Sequence, residues 1–237
     1  EQQMEALERT AVEDVWGVGS AGSKKLRMFN INTAWDLRNM SEDWARKNLG
    51  GVVGVRLIKE LRGQPCIEMK DPLETKKMIA TTRMFGKPVY ELRELREAVA
   101  TYITRAAEKL RRQNSAAKTI SVFLVTNNYS SHYEYKPASS SLYNTLPFAT
   151  SLTNLLIEHA MPLVEQLYSK GSKYLKAGVI LSGIVPDNAV QFNLFEQPSH
   201  HNEKKLMKMI DNVNFSMRND VLKFASSGTK RDWKMRQ

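Results

Sequence analysis

Residues 91–112 read ELRELREAVATYITRAAEKLRR, and this stretch decides the fold of the larger part of the chain. Apolar residues recur there at steps of three and four, which predicts a long amphipathic helix. They are Leu92, Leu95, Val99, Tyr102, Ala106 and Leu110. The other side of the helix carries Arg105, Lys109 and Arg112, and an ordinary solvated face accounts for that charge.

Strand-like stretches lie on both sides of this helix. Residues 76–85 are rich in Thr and Ile and end at Gly86-Lys87-Pro88. Further strands are predicted at residues 119–126, 139–146 and 173–184, and a second helix at residues 151–168, with a kink or break at Pro162. The order β-α-β-β-α-β predicts a ferredoxin-like domain over residues 71–185, in which both helices cover one face of the sheet.

The alternation along two of these strands predicts a polar open face. The side chains expected on it are Tyr174, Lys176 and Ser182 from the last strand and Lys77, Thr81 and Arg83 from the first. Hydroxyl and cationic groups on one surface suit phosphates, so Thr81, Arg83 and Lys176 are candidate DNA-binding residues. A half-exposed sheet has a polar face in any case, and that alternative stays open.

A helical unit precedes the sheet domain. Residues 1–11 are expected to be a connecting segment, and residues 12–70 an all-helical domain that opens with Val-Trp-Gly-Val-Gly at residues 15–19. This pattern predicts a helix-hairpin-helix motif, because Gly17 and Gly19 allow a tight turn with amides exposed at the start of the next helix. Lys24 and Lys25 would then lie within reach of the same stretch of DNA phosphates. An ordinary helix connection with a glycine cap is the alternative.

Three tryptophans fall among the apolar residues of this unit. Trp16, Trp35 and Trp44 are expected to pack between helices rather than to stack on bases. Later helices are predicted to begin after a cap at Asn32 or Thr33, near Ser41 and at residue 52, since Asn, Thr and Ser are favoured N-cap residues.

A short peptide follows the sheet domain. In the linker at residues 186–199, Gln191 is followed by Leu194 and Phe195 in a polar, proline-bounded segment. An amide with two large apolar side chains three and four residues later is typical of an anchor that enters a pocket on a partner. Packing of Leu194 and Phe195 back onto the sheet domain is the alternative. Residues 200–237 are expected to form a C-terminal extension with a short helix, in which Phe224 and Trp233 are isolated aromatics.

Composition and charge limit the class of protein. The 35 Lys and Arg residues exceed the 25 Asp and Glu residues by +10, and the excess is largest in residues 71–185, which suits a polyanionic partner. The single cysteine, Cys66, excludes an internal disulfide and a Cys-rich zinc site, and the four histidines lack metal-ligand spacing. No apolar run has the length of a membrane helix and no signal peptide is visible, so no membrane partner and a cytoplasmic location are expected.

Several motifs in this order resemble the UmuC family of Y-family translesion DNA polymerases, the catalytic subunits of bacterial polymerase V. They are Val-Trp-Gly-Val-Gly at residues 15–19, Leu-Arg-Gly-Gln-Pro-Cys at 61–66, Thr-Arg-Met-Phe-Gly at 82–86 and Gln-Phe-Asn-Leu-Phe at 191–195. The resemblance implies a thumb, a little-finger domain that holds template and primer backbones, and a sliding-clamp-binding motif at Gln191, Leu194 and Phe195. It also implies a UmuD-like subunit as a further partner.

The chain departs from the family's pattern in one respect. Y-family polymerases hold two magnesium ions with palm carboxylates, partly in a Ser-x-Asp-Glu motif, and this sequence contains no such motif. We therefore expect no catalytic residues, no metal site and no cofactor in this stretch, and no polymerisation by it alone. The leading hypothesis is the DNA-gripping, clamp-recruiting part of an error-prone polymerase of the SOS response.

Two other classes of function are open at this point. A truncated paralogue that binds DNA or clamp as a regulatory module would use the same motifs without catalysis. A hairpin-containing glycosylase or nuclease would need a lysine–aspartate pair or a metal cluster after the hairpin, and the sequence shows neither.

Overall fold

The computed structural model describes the chain in five ranges and divides it into two compact units, residues 1–74 and 75–237. The described residues are 2–66, 75–129, 135–191, 201–217 and 221–235. Within these ranges no helix combines the length and the apolar character that crossing a bilayer requires.

The described part of the first unit is helical, as predicted. Its helices are α1 (Gln2–Arg9), α2 (Ser20–Met28), α3 (Ala34–Arg38), α4 (Glu42–Asn48) and α5 (Val52–Leu61), with a 3-10 turn at Val12–Asp14. The N-terminal segment is more ordered than a simple connection, because α1 packs Leu7 against the core of the unit. That core contains the fully buried side chains of Val12, Leu26, Leu37 and Ile58.

Side-chain caps set the start of two of these helices. Thr33 forms a capping box on α3: its hydroxyl accepts from the Asp36 amide, and Asp36 Oδ2 accepts from the Thr33 amide at 3.0 Å. Asp36 Oδ2 also accepts from the Asn32 amide at 3.0 Å. These hydrogen bonds, above all the one from the Asn32 amide, hold the pKa of the Asp36 carboxyl below its ordinary value. The Ser41 hydroxyl accepts from the Trp44 amide and caps α4.

The second unit contains the predicted β-α-β-β-α-β order. Its elements are β1 (Ile79–Val89), α6 (Leu92–Arg112), β2 (Ser115–Tyr129), β3 (Tyr135–Thr150), α7 (Thr153–Leu167) and β4 (Tyr174–Pro186). The four strands form an antiparallel sheet in the order β1-β4-β2-β3. This differs from the ferredoxin-like order, where the first and third strands are central. Here β3 extends outward from β2 as a hairpin, and β4 fills the gap between β1 and β2.

Both long helices cover one face of this sheet. In the paired strands Ile120 lies opposite Leu181 and Val122 opposite Val179, and all four side chains are buried. The inner face of α6 meets them with Leu95, Val99, Ile103 and Leu110. The second helix, α7, runs without a break through Pro162. Burial of apolar surface between the helices and the sheet therefore supplies the main stabilisation of this unit.

The C-terminal residues belong to the second unit and pack on α6. A last helix, α8 (His201–Ser216), is attached through Asp211, whose oxygens accept from Nε and Nη2 of Arg111 at 2.6 and 2.8 Å. Nη1 of Arg111 also donates to the Ser151 carbonyl at 2.6 Å. Farther along, Trp233 is buried in the same core as the sheet and its carbonyl accepts from the Gly86 amide at 2.9 Å. Trp233 is thus a core residue and not an isolated aromatic.

Candidate nucleic-acid interface

A tight turn before α2 forms the first part of the candidate interface. The Val18 amide donates to the Val15 carbonyl at 3.0 Å, and Gly17 between them has φ +97°, which a residue with a Cβ rarely adopts. Gly19 is the N-cap of α2 and gives it no side-chain cap. The first amides of α2 have no intrahelical carbonyl to bind, so they are available to an anion. The predicted start of this helix at Ser20 is confirmed.

The two lysines of α2 are used differently. Lys24 and Lys25 are both exposed, one turn into the helix. Lys25 Nζ donates to the Asn48 carbonyl at 2.7 Å, so in this structure it ties α2 to the end of α4. Lys24 is therefore the better placed of the two to reach a phosphate near the start of α2.

A second glycine turn lies directly before α5 and was not singled out from the sequence. Gly50 and Gly51 have φ +79° and +72°, and α5 begins at the next residue without a side-chain cap. A Cβ on Gly17 would lie 3.8 Å from Leu57 Cδ1, so the first turn lies near the middle of α5. The Gly-Gly dipeptide before an apolar run was the sequence signal for this turn.

Trp16 corrects one expectation about the core of the first unit. The side chain was expected to pack between helices, but it is 96% exposed. It occupies the second position of the turn Val15–Val18, and the positive φ at Gly17 directs the chain so that this position faces outward. The other two tryptophans are half-buried: Arg38 lies 4.8 Å over the ring of Trp35, and Trp44 meets Phe29 edge to face at 5.4 Å.

The sheet places the predicted contact residues of β1 on the helix side. Thr81 lies opposite Val179 and Arg83 opposite Ala177, whose side chains are buried under the helices. Directly opposite residues share a face, so Thr81 and Arg83 do not share the open face with Lys176. The expectation of a single polar face was wrong because the strand was read without its partner's register. Arg83 is nevertheless exposed, since β1 is an edge strand.

A bulge moves Tyr174 to the buried face as well. Val125 lies opposite Lys176 and Thr126 opposite Tyr174, so Leu175 is an extra residue on β4. One extra residue inverts the alternation beyond it. Tyr174 is consequently 1% exposed, and its hydroxyl accepts from the Ser169 amide at 2.8 Å.

The open face of the sheet is therefore a mixture of small polar and apolar side chains around Lys176. Lys176 Nζ lies 6.0 Å from the centre of the Phe123 ring, which crosses β4 at Gly178. A Cβ on Gly178 would collide with that ring, so only glycine allows the crossing. Tyr143 is 72% exposed and lies opposite Ser121 on the next strand. Such a surface offers the Lys176 ammonium group together with flat and hydroxyl groups to a ligand.

The tyrosine Tyr102 of α6, which lies near Arg83 of β1, has a displaced pKa. Burial raises the pKa of Tyr102 to about 12, and the positive charge of Arg83 opposes part of this rise. Among the residues that the structure describes, the Tyr102 hydroxyl and the Trp233 indole N–H have no hydrogen-bond partner. Their rings meet edge to face at 5.9 Å. The pair holds the C-terminal residues in the core through ring packing.

The predicted clamp-binding residues fall mostly outside the described ranges. Gln191 is exposed and follows a 3-10 turn at Asp187–Ala189. Leu194 and Phe195 lie outside the described residues. Within those ranges no three His, Cys, Asp or Glu side chains come close enough to hold a metal ion.

Comparison with known proteins relates both units to one group. Residues 76–194 match the model of the impB/mucB/samB family C-terminal domain, and residues 204–237 match a domain of unknown function. The chain is 35% identical to the protein UmuC of Salmonella typhimurium (strain LT2), and the alignment covers the whole of this chain and 56% of UmuC. It is 25% identical, over 90% of its length, to a DNA polymerase IV of Desulfatibacillum aliphaticivorans, 52% of which is covered.

One solved structure aligns with part of the chain. A Y-family DNA polymerase chimera aligns with 78% of this chain and 50% of its own, at 14% identity and a TM-score of 0.47. The chain spans about half the length of the curated relatives it matches.

Proposed function

Because the chain belongs to the impB/mucB/samB family, we propose that it is the duplex-gripping and clamp-recruiting part of an error-prone Y-family translesion polymerase. The observation that carries this proposal is the 35% identity to UmuC along the whole chain. Similarity to UmuC and to a DNA polymerase IV supports a role related to translesion synthesis. The partners we propose are primer-template DNA, a bacterial sliding clamp and a UmuD-like subunit.

The first unit would bind the phosphate backbone without reading its sequence. The open amides at the start of α2 and the exposed Lys24 both follow the turn that contains Gly17, with Gly19 as the N-cap between them. Amides at a helix N-terminus favour an anion through their unpaired N–H groups and the helix dipole. Phosphate contacts of this kind position a duplex and carry no sequence information.

The second unit would follow the duplex with the open face of its sheet. Lys176 supplies charge there, and the flat surfaces of Phe123 and Tyr143 supply apolar contact. Arg83 and Thr81 would take part only from the β1 edge, because their register places them on the helix side. Gln191, Leu194 and Phe195 would then tether the chain to the clamp, which raises its effective concentration at the primer end.

Salt dependence tests the phosphate contacts. We expect the chain to bind duplexes of unrelated sequence with similar affinity, and the affinity to fall by orders of magnitude between about 50 mM and about 500 mM salt. Fluorescence anisotropy with a labelled primer-template measures both. Equal affinity at the two salt concentrations would contradict the proposed backbone grip.

The clamp contact has a separate test. The double substitution Leu194→Ala and Phe195→Ala should abolish binding to immobilised clamp and leave DNA affinity unchanged, because the segment is separate in sequence from the duplex-binding residues. Surface plasmon resonance measures the first and anisotropy the second. Clamp binding that survives the double substitution would remove the clamp from the proposal.

A further inference from the structure

The turn before α2 presents an aromatic side chain that the fold does not use. Trp16 is 96% exposed, whereas Val15 beside it is 8% exposed and packs into the core of the unit. A tryptophan has one of the largest apolar surfaces of any side chain, and leaving it in water brings no stability to this unit. Its side chain is therefore available to a partner outside the unit.

The backbone holds this side chain in a defined place. The Val18 amide closes the turn on the Val15 carbonyl at 3.0 Å, and Gly17 takes the positive φ that the turn requires. An ion pair between Glu13 and Arg27 joins the residues before the turn to α2. A side chain on such a turn loses little freedom when it binds, since the backbone that carries it is already ordered.

The neighbouring groups indicate the chemistry of the partner. The open amides of α2 begin three to four residues after Trp16, and Lys24 is exposed one turn farther along. Under the proposed function these groups bind a phosphate, and the group next to a phosphate along a DNA strand is a deoxyribose with an apolar face. An indole ring packs on such a face whatever the base, which suits binding without sequence preference.

We propose that Trp16 packs on the deoxyribose adjoining the phosphate held at the start of α2, and so supplies an uncharged part of the DNA affinity. This inference rests on the proposed function, because it takes DNA as the ligand of the same turn. It assigns to Trp16 a contact of a different kind from the phosphate contacts, and the two kinds respond differently to salt.

Anisotropy titrations of the full chain with a labelled primer-template at several salt concentrations test the proposal. The substitution Trp16→Ala should weaken binding about tenfold, the loss expected when roughly 60 Å² of apolar surface stays in water. The salt slope should stay that of the wild type. The substitution Lys24→Ala should instead reduce the slope by about one, and Trp16→Phe should restore most of the affinity.

Met28→Ala is the matched control, because Met28 is 82% exposed at the far end of the same helix. It should bind DNA like the wild type. Wild-type affinity in Trp16→Ala would overturn the inference and leave the proposed function standing, and that result is expected if Trp16 instead covers another protein or a second copy of this chain. Failure of the wild type itself to bind any duplex at low salt would overturn both.

Discussion

The burial of Trp233 leads to a prediction about the stability of the second unit. Its indole is 4% exposed and lies edge to face against Phe85 at 6.2 Å and Tyr102 at 5.9 Å. Replacing a buried aromatic side chain by alanine typically costs about 3 to 5 kcal/mol, because transfer energy is lost and a cavity remains. For a unit of this size such a loss lowers the melting temperature by about 6 to 20 °C.

Differential scanning calorimetry of the full chain measures this shift for Trp233→Ala. Hydrogen exchange localises it, because the Gly86 amide, bonded to the Trp233 carbonyl at 2.9 Å, should lose protection before the centre of the sheet does. Trp233→Phe should recover part of the stability, since it keeps a ring and removes an indole N–H that has no partner in the described part of the chain. Trp16→Ala is the control on an exposed tryptophan. A Trp233→Ala variant that melts within about 2 °C of the wild type would refute the conclusion that the C-terminal residues complete this core.

Three further substitutions test particular interactions. The pKa of Tyr102 is raised to about 12 in the folded chain, so the folded state is favoured at pH values below the ordinary tyrosine pKa of about 10. This contribution to stability is lost as the pH rises from about 10 to about 12. Tyr102→Phe should flatten that loss, measured by urea unfolding between pH 9 and pH 12. Asp211→Ala should cost about 3 kcal/mol, because the largely buried Arg111 keeps its bond to the Ser151 carbonyl but loses its carboxylate partner. A double variant with Arg111→Met should recover part of this loss, and additive losses in denaturant unfolding would argue against direct coupling. Thr33→Ala should cost about 1 kcal/mol of unfolding free energy, because α3 loses its side-chain cap. The pKa of the Asp36 carboxyl is lowered in the folded chain, so its contribution to stability should be present above the ordinary carboxyl pKa and disappear as the pH falls through the lowered value. An unchanged acid unfolding curve in Asp36→Asn would contradict this.

Local sequence patterns were sufficient for most elements of both units, but they did not predict α1 and they wrongly predicted a kink or break at Pro162. The period of three and four residues in 91–112 predicted α6, which runs over Leu92–Arg112, and the Gly-Val-Gly turn predicted the start of α2 at Ser20. Cap residues predicted the starts of α3 and α4 in the same way, at Thr33 and Ser41. These features depend on neighbours within a few residues, so the sequence contains the full physical cause.

The faces of the sheet could not be predicted in the same way. Whether Thr81 and Arg83 point toward the helices depends on which residues of β4 lie opposite them, and that pairing joins residues almost a hundred positions apart. The bulge at Leu175, which buries Tyr174, is likewise visible only once three strands are aligned. A one-residue shift in register exchanges the two faces, and the alternation of a single strand does not report it.

The exposure of Trp16 and the burial of Trp233 show the same division between local and distant causes. Composition, hairpin glycines and the motif order indicate a basic, two-part chain related to UmuC, because each of these signals is local or additive along the sequence. Trp16, however, follows a valine and precedes a glycine, Trp233 lies between Asp232 and Lys234, and neither tryptophan has the burial that its chain neighbours indicate. One stands on a turn that directs it away from the core, and the other is covered because Phe85 and Tyr102 come to it from distant elements. Burial depends on contacts that exist only after the chain has folded, and these contacts separate the aromatic that supports the fold from the aromatic that is available to a ligand.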